Sequence, residues 1–230
     1  MAKRIPEAPA ATKQKKILIV DDHPMLREGL RGTINREPDL SVCGEAENVR
    51  QALDAVLKQA PDLVLVDLTL PGRGGLELVK DLKALYSHLA ILVLSMHEES
   101  LYAERVLRAG AAGYITKQQP PEELIKAIRQ VLDNRVYLSP EASERLLQRF
   151  SGKLQVNQSP AEILTDRELE VFQLIAKGNT PKEIGRQLHL SAKTVAVHYS
   201  NMRGKLKLKS TAQLIRFAVQ TDSGETSTGN

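Results

Sequence analysis

The stretch from Leu63 to Gly72, LVLVDLTLPG, constrains the fold more than any other part of the chain. Four apolar residues run without polar alternation into Asp67, and a Pro-Gly pair, Pro71 and Gly72, follows. An apolar run with no polar face fits a strand covered on both sides, as at the centre of a parallel α/β sheet. Such sheets keep their functional groups outside the carboxyl ends of the strands, which is where Asp67 would stand. Taken alone, a strand-end aspartate can equally cap the following turn. The choice depends on what else the chain brings to the same edge.

From Lys16 to Asp133 the pattern alternates strand and helix five times. Strands are expected over Ile17–Val20, Leu40–Gly44, Leu63–Asp67, Ile91–Ser95 and Gly113–Thr116. Apolar residues at helical spacing fill Met25–Arg36, Asn48–Gln59, Leu76–Leu85, Ser100–Ala109 and Pro121–Leu132. Alternating β and α predicts a doubly wound domain over residues 16–133, a five-stranded parallel sheet with helices on both faces and right-handed crossovers.

The signals then change in kind. Ser139-Pro140-Glu141 predicts a short helix over Pro140–Phe150 inside a linking stretch, residues 134–163, whose remainder, SGKLQVNQSPAE, reads as mobile. Thr165 with Glu168 and Thr180 with Glu183 form capping boxes, the second with Pro181 at the first helical position. Gly178 closes the helix between them, Ser191 caps a third over Ala192–Leu206, and a fourth covers Thr211–Gln220. Residues 164–221 thus read as a small all-α domain of four helices. Residues 1–15 read as a disordered basic tail and 222–230 as a polar frayed end.

A chain 42% hydrophobic and 26% charged fits a soluble globular protein. No apolar run approaches the roughly 18 residues of a membrane span, and the start lacks a hydrophobic signal core, so a cytoplasmic location is expected. One cysteine, Cys43, excludes an internal disulfide and a multi-cysteine zinc site. The net charge of +4 hides an asymmetry. Residues 16–133 hold 14 Lys+Arg against 18 Asp+Glu, whereas residues 160–220 hold 10 against 5. Ile184 to Arg216 carries seven basic residues and no acid, which points to a polyanion as partner of the second domain.

Asp21 and Asp22 close the first expected strand as Asp67 closes the third, and neighbouring strands would bring the three carboxylates into one crevice. Packed anions repel, and a divalent cation relieves the conflict; all-oxygen ligands suit Mg2+. Ser95 ends the fourth strand and Lys117 follows the fifth. A hydroxyl and an ammonium around a metal-bound carboxylate make a cage for a phosphoryl group. Two enzyme readings fit less well. DDH at Asp21 to His23 is not the DxD of a haloacid-dehalogenase-type phosphatase, and GRGG at Gly72 to Gly75 satisfies no nucleotide-loop pattern.

With these motifs, Asp21-Asp22, VDLTLPG, ILVLS and GAAGYITK, residues 16 to about 133 resemble a response-regulator receiver domain of flavodoxin-like fold. The resemblance implies that Asp67 accepts phosphate from a sensor histidine kinase and that the chain is no enzyme beyond this self-phosphorylation and slow autodephosphorylation. It implies Mg2+ held by Asp22, Asp67 and the backbone carbonyl of Thr69, with Asp21 acting through water. Ser95 and Tyr114 would be the switch pair, the ring following the hydroxyl inward. Thr69 stands where methionine is common, and Gly74 where many relatives have Asp.

Thr180 to Leu206 reads as helix-turn-helix. Val195, Tyr199, Met202 and Leu206 recur at helical spacing and should face the core, leaving Lys193, Ala196, Val197 and Ser200 outward. Leu164 to Ser210 is similar to the DNA-binding domain of the NarL/LuxR type. By that resemblance Ala196, Val197 and Ser200 face bases, while Lys193, Thr194, His198, Lys205 and Lys209 contact the DNA backbone. Ala196 replaces a lysine found in many relatives and offers only a methyl group. The two resemblances together imply a NarL/FixJ-type response regulator that binds double-stranded promoter DNA and forms a homodimer on phosphorylation or on DNA; they leave room for RNA polymerase as a further partner. The rival reading is a phosphorelay adaptor whose helical domain docks on a protein.

Overall fold

The computed structural model describes residues 14–97, 99–151 and 160–222. Strands β1 (Lys15–Val20), β2 (Leu40–Ala46), β3 (Leu63–Asp67), β4 (Ala90–Ser95) and β5 (Gly113–Thr116) pair in parallel in the order β2-β1-β3-β4-β5. Every residue of β3 is buried, as its apolar run requires at the centre of a sheet. The pairings Val20↔Val66, Asp67↔Leu94 and Ser95↔Thr116 bring the carboxyl ends of β1, β3, β4 and β5 level along one edge.

Successive residues of β1 serve opposite layers. Ile17 and Ile19 pack with Leu30 and Ile34 of α1 (Pro24–Ile34) and Leu124 and Ile128 of α5 (Pro121–Leu132). Leu18 and Val20 pack with Val56 of α2 (Val49–Gln59), Leu78 and Val79 of α3 (Gly75–Leu85) and Val106 of α4 (Glu99–Arg108). The start of α3 crowds the end of β3: Gly75 N donates to Leu68 O at 2.7 Å, and a Cβ on Gly75 would lie 1.9 Å from the Asp67 carbonyl oxygen.

Most element ends shift by one or two residues from expectation, and two differences are larger in consequence. β1 begins at Lys15, inside the expected tail, because Lys15 N donates to Asp39 O at 2.8 Å and Lys15 pairs with Leu40. The first part of the expected linker is stitched to the sheet. Tyr114 N donates to Tyr137 O and Tyr137 N to Ala112 O, both at 3.0 Å, so the open side of edge strand β5 gains a partner. From there α6 (Pro140–Phe150) packs on α4, with Ser139 N donating to Glu99 Oε1 at 2.9 Å. Of the expected mobile stretch, residues 151–162, the part at 152–159 lies outside the described residues, as do most of both expected tails, while Pro160 to Glu162 are helical and not mobile coil; Asp222 itself closes the last helix.

A one-turn helix, α7 (Pro160–Ile163), leads into α8 (Asp166–Ala176), α9 (Pro181–Gln187), α10 (Ala192–Lys205) and α11 (Thr211–Asp222). Both capping boxes form: Thr165 N donates to Glu168 Oε2 at 2.8 Å and Thr180 N to Glu183 Oε2 at 2.7 Å. Gly178 turns the chain after α8 with φ +79, which a glycine adopts without strain. Leu169, Phe172, Ile184, Val195, Tyr199, Met202 and Leu214 fill the helical core; Leu206 is half-buried at its edge.

Candidate functional site

Four strand ends converge. Asp21 follows β1, Asp67 ends β3, Ser95 ends β4 and Lys117 follows β5. Lys117 Nζ lies 2.7 Å from Asp21 Oδ2 and 2.7 Å from Asp67 Oδ2. Asp67 Oδ1 accepts from Thr69 N at 3.1 Å, so the carboxylate caps its turn and still faces the lysine. One ligand atom from each of Asp21, Asp22, His23 and Asp67 lies within 4.8 Å of the others. Burial pushes the Asp67 carboxyl up to about 6; Lys117 opposes this and Asp21 adds to it. Burial also pulls the Lys117 ammonium down, but the two carboxylates outweigh it and hold its pKa above the ordinary lysine value. Apart from ion pairs to Lys117 and His23, Asp21 Oδ2 and Asp22 Oδ1 are buried without a hydrogen bond. Carboxylate oxygens in that condition fit a hard divalent cation.

Ser95 is fully buried and its Oγ accepts from His97 N at 3.1 Å. Tyr114 already lies inside, donating its hydroxyl to His97 O at 2.7 Å. The ring that the resemblance has moving inward on phosphorylation thus stands inward here, with the His97 carbonyl accepting from its hydroxyl. The His97 ring stacks on Tyr102 at 5.1 Å, and its Nε2 lies 3.2 Å from Thr69 Oγ1. Burial pulls its pKa down to about 4, which keeps the imidazole neutral at physiological pH.

A second set of residues lies on α10. Lys193, Ala196, Val197 and Ser200 are exposed, opposite buried Val195, Tyr199 and Met202. Thr194 is tied to the cap, its Oγ1 lying 2.8 Å from Ser191 Oγ. His198 is half-buried, and burial lowers its pKa. Lys209 is exposed, but Lys205 is engaged: its Nζ donates to Glu168 Oε2, the capping-box carboxylate, at 2.6 Å. That ion pair ties Lys205 to the start of α8.

Two family models match the chain. The response regulator receiver domain covers residues 17–129, and the luxR family of bacterial regulatory proteins covers residues 162–218. The chain is 39% identical over 200 residues to the nitrate/nitrite response regulator protein NarL of Escherichia coli, spanning 84% of this chain and 90% of NarL. It is 35% identical over 211 residues to the oxygen regulatory protein NreC of Staphylococcus epidermidis, spanning 89% of this chain and 97% of NreC. The chain belongs to the NarL-type two-component response regulators. The structure of RcsB from Salmonella enterica serovar Typhimurium, bound to promoter rprA in the presence of the phosphomimetic BeF3-, matches with a TM-score of 0.60 and 27% identity, over 90% of this chain and 99% of that one. The luxR-family match favours DNA binding over the adaptor reading for this response regulator.

Polar contacts join the receiver to the helix-turn-helix domain. Asp166 accepts from Lys80 at 3.0 Å and from Arg105 at 2.5 Å, and Arg105 also donates to Leu164 O. His189 Nε2 lies 3.3 Å from Asp22 Oδ2. Glu170 is 4% exposed, paired with Arg167, and faces Gly74, where a Cβ would lie 3.7 Å from Glu170 Oε1.

Burial pushes the Glu170 carboxyl up to about 7, with Arg167 opposing and Asp166 and Asp67 adding. An exposed glutamate titrates near 4.3, so docking of this response regulator's two domains takes up a proton between those values. Docked His97, facing Gln173, Lys177 and Lys117, resists protonation and opposes this, so docking should tighten about twofold as pH falls from 8 to 6.5. Below the ordinary histidine value of about 6.5 the trend levels off, because the proton that Glu170 takes up on docking is matched by the one that His97 gives up. Glu170→Gln leaves only the His97 term, so its docking should weaken steadily as pH falls below 8. Domain separation followed by small-angle scattering across pH checks this; the wild-type trend persisting in the variant would refute it.

Sequence reasoning missed Arg27, which is 7% exposed and donates to Asp21 O at 2.6 Å, Glu45 Oε2 at 3.1 Å and Glu47 Oε1 at 2.7 Å. It braces the turn that carries the acidic pair. The only signal was a basic residue on the apolar side of α1. His97, Tyr102 and Glu170 carried no local signal at all.

Proposed function

We propose that this response regulator accepts a phosphoryl group on Asp67 from a sensor histidine kinase, in the cytoplasm and with Mg2+, and that the phosphorylated chain pairs with a second copy on promoter DNA. The observation that carries the reading is Asp67 itself, buried at a strand end with Lys117 at 2.7 Å. An Asp67 oxygen forms the new P–O bond as the donor's bond to phosphorus breaks, and the departing group keeps the bonding pair and takes a proton. Lys117 neutralises phosphoryl oxygens and Ser95 supplies a hydroxyl donor. Asp22, Asp67 and the Thr69 carbonyl, with Asp21 through water, would hold Mg2+, which supplies charge neutralisation and alignment of the donor. No separate substrate is turned over, so the chain acts as receiver and not as an enzyme in the usual sense.

DNA binding tests the second half. Phosphate contacts from Lys193, Lys205 and Lys209 of two copies would neutralise about six charges, giving a slope of log K against log salt of roughly −5. Lys205→Ala should weaken binding to all sequences alike and remove up to about two units of slope per dimer. Substitutions at Ala196, Val197 or Ser200 should alter base preference and leave the slope nearly unchanged. Thr194 and His198 flank the same backbone. Phosphorylation should tighten promoter binding by ~1 to 3 kcal/mol at matched salt. Binding to a randomised pool across a salt series, with and without phosphodonor, measures both; equal affinity in the two states would contradict the switch.

A further inference from the structure

The backbone of Asp21 is held from both ends. Asp21 N donates to Ala46 O at 3.0 Å, carrying the Val20↔Ala46 pairing one residue past the strand, and Asp21 O accepts from Arg27 Nη1 at 2.6 Å. Arg27 is the fourth residue of α1 and lies on the side that buries Leu30 and Ile34. A guanidinium there cannot shed its proton, so its burial has to be compensated. The compensation comes from the end of β2, where Nε donates to Glu45 Oε2 at 3.1 Å and Nη2 to Glu47 Oε1 at 2.7 Å, the two residues that flank Ala46. Each nitrogen of the fork thus has its own acceptor on a different residue, and a rigid plane that fits one acceptor is fixed for the others.

Asp21 O belongs to the peptide that leads into Asp22, so the fork fixes the plane from which the second carboxylate projects. The two glutamates also cancel a positive charge that would otherwise repel a cation from Asp21, Asp22 and Asp67. We infer that Arg27, charge-balanced by Glu45 and Glu47, is a positioning residue for phosphoryl uptake: it holds the Asp21–Asp22 peptide in the geometry that a divalent cation at the strand ends needs, and so sets how much Mg2+ the reaction requires. The inference rests on the Mg2+ reading given above and adds a determinant that touches neither the cation nor the phosphoryl group. Partners standing behind metal-ligating side chains contribute about tenfold or more to metal affinity. Geometry and charge predict opposite signs for Arg27→Met. Removing a positive charge near three carboxylates strengthens cation binding on Coulomb grounds, whereas losing the fork weakens it.

The test titrates Mg2+ into the full-length protein by calorimetry with no phosphodonor present. Arg27→Met should weaken Mg2+ binding about tenfold, and Arg27→Lys, which keeps the charge but offers one nitrogen to three acceptors, at least about threefold. With a small acyl phosphate as donor, the Mg2+ concentration for half-maximal uptake on Asp67 should rise by the same factors, while the rate at saturating Mg2+ stays within about twofold of wild type. A merely structural role would lower the fraction of chains that take up phosphate and leave the half-saturation point alone. In both variants Glu45 and Glu47, whose side chains are 28% and 53% exposed, keep water as a partner, and Arg31 still reaches Glu45 at 3.2 Å. Should Arg27→Met fail to fold, Arg27→Lys decides alone. Mg2+ affinity that rises in Arg27→Met, or stays within about twofold of wild type in Arg27→Lys, overturns the inference. Wild-type protein that binds no Mg2+ overturns the reading beneath it; wild-type binding with unaltered variants overturns this inference and leaves that reading standing.

Discussion

Asp67→Asn is expected to abolish phosphate uptake from small phosphodonors with Mg2+, while wild-type protein gains one phosphate per chain. An amide oxygen is a poor nucleophile and carries no charge to hold a divalent cation, so the reacting atom and part of its metal ligation disappear together. The shape of the side chain is kept, and the fold should survive: Lys117 retains Asp21 at 2.7 Å, which spares it the cost of an unpaired buried charge. Intact-mass measurement distinguishes the outcomes. Phosphate that persists at another residue in the variant would remove Asp67 as acceptor.

Gly75→Ala should be the most damaging single methyl in the receiver. The new Cβ would meet the Asp67 carbonyl oxygen at 1.9 Å and Leu68 Cα at 2.7 Å, and backbone atoms cannot swing aside as a side-chain tip can. Helix α3 must then withdraw, losing the Gly75 N to Leu68 O hydrogen bond and displacing the peptide that carries the acceptor. A loss of ~3 kcal/mol or more follows from overpacking of this kind. Gly29→Ala is the control. It lies on α1 with nothing within 4 Å of the added carbon, and should stabilise by about 0.5 to 1 kcal/mol. Urea unfolding of both variants ranks them, and a neutral Gly75→Ala would show that the β3–α3 turn can yield.

Some elements were legible because a local pattern suffices for them. β3 and β5 occupy the expected residues, the first through its unbroken apolar run; α5 and α6 begin at Pro121 and Pro140, where a missing N–H costs nothing. The convergence of Asp21, Asp67, Ser95 and Lys117 needed only the rule that parallel strands end together. Other features needed knowledge of which distant residues meet. Lys15 reads as tail by composition and becomes strand through Leu40, and the burial of Glu170 has no signal in its neighbours along the chain. His189 has no local reason to lie near Asp22. Lys205 shows the same gap from the other side, since its partner Glu168 belongs to a helix cap and not to DNA.

The contacts described between α8 and the receiver run through Lys80, Arg105, Asp166 and Glu170, groups that water solvates readily. Beside those charges, buried apolar side chains of both domains, Leu70, Leu76, Leu164 and Leu169 among them, belong to one continuous cluster, so parting the domains bares apolar surface as well as charge. Each closing event strips hydration from the same charges that then attract one another, and the two energies nearly cancel. The charged contribution to closure should therefore shrink as ionic strength rises, and the apolar contribution should not.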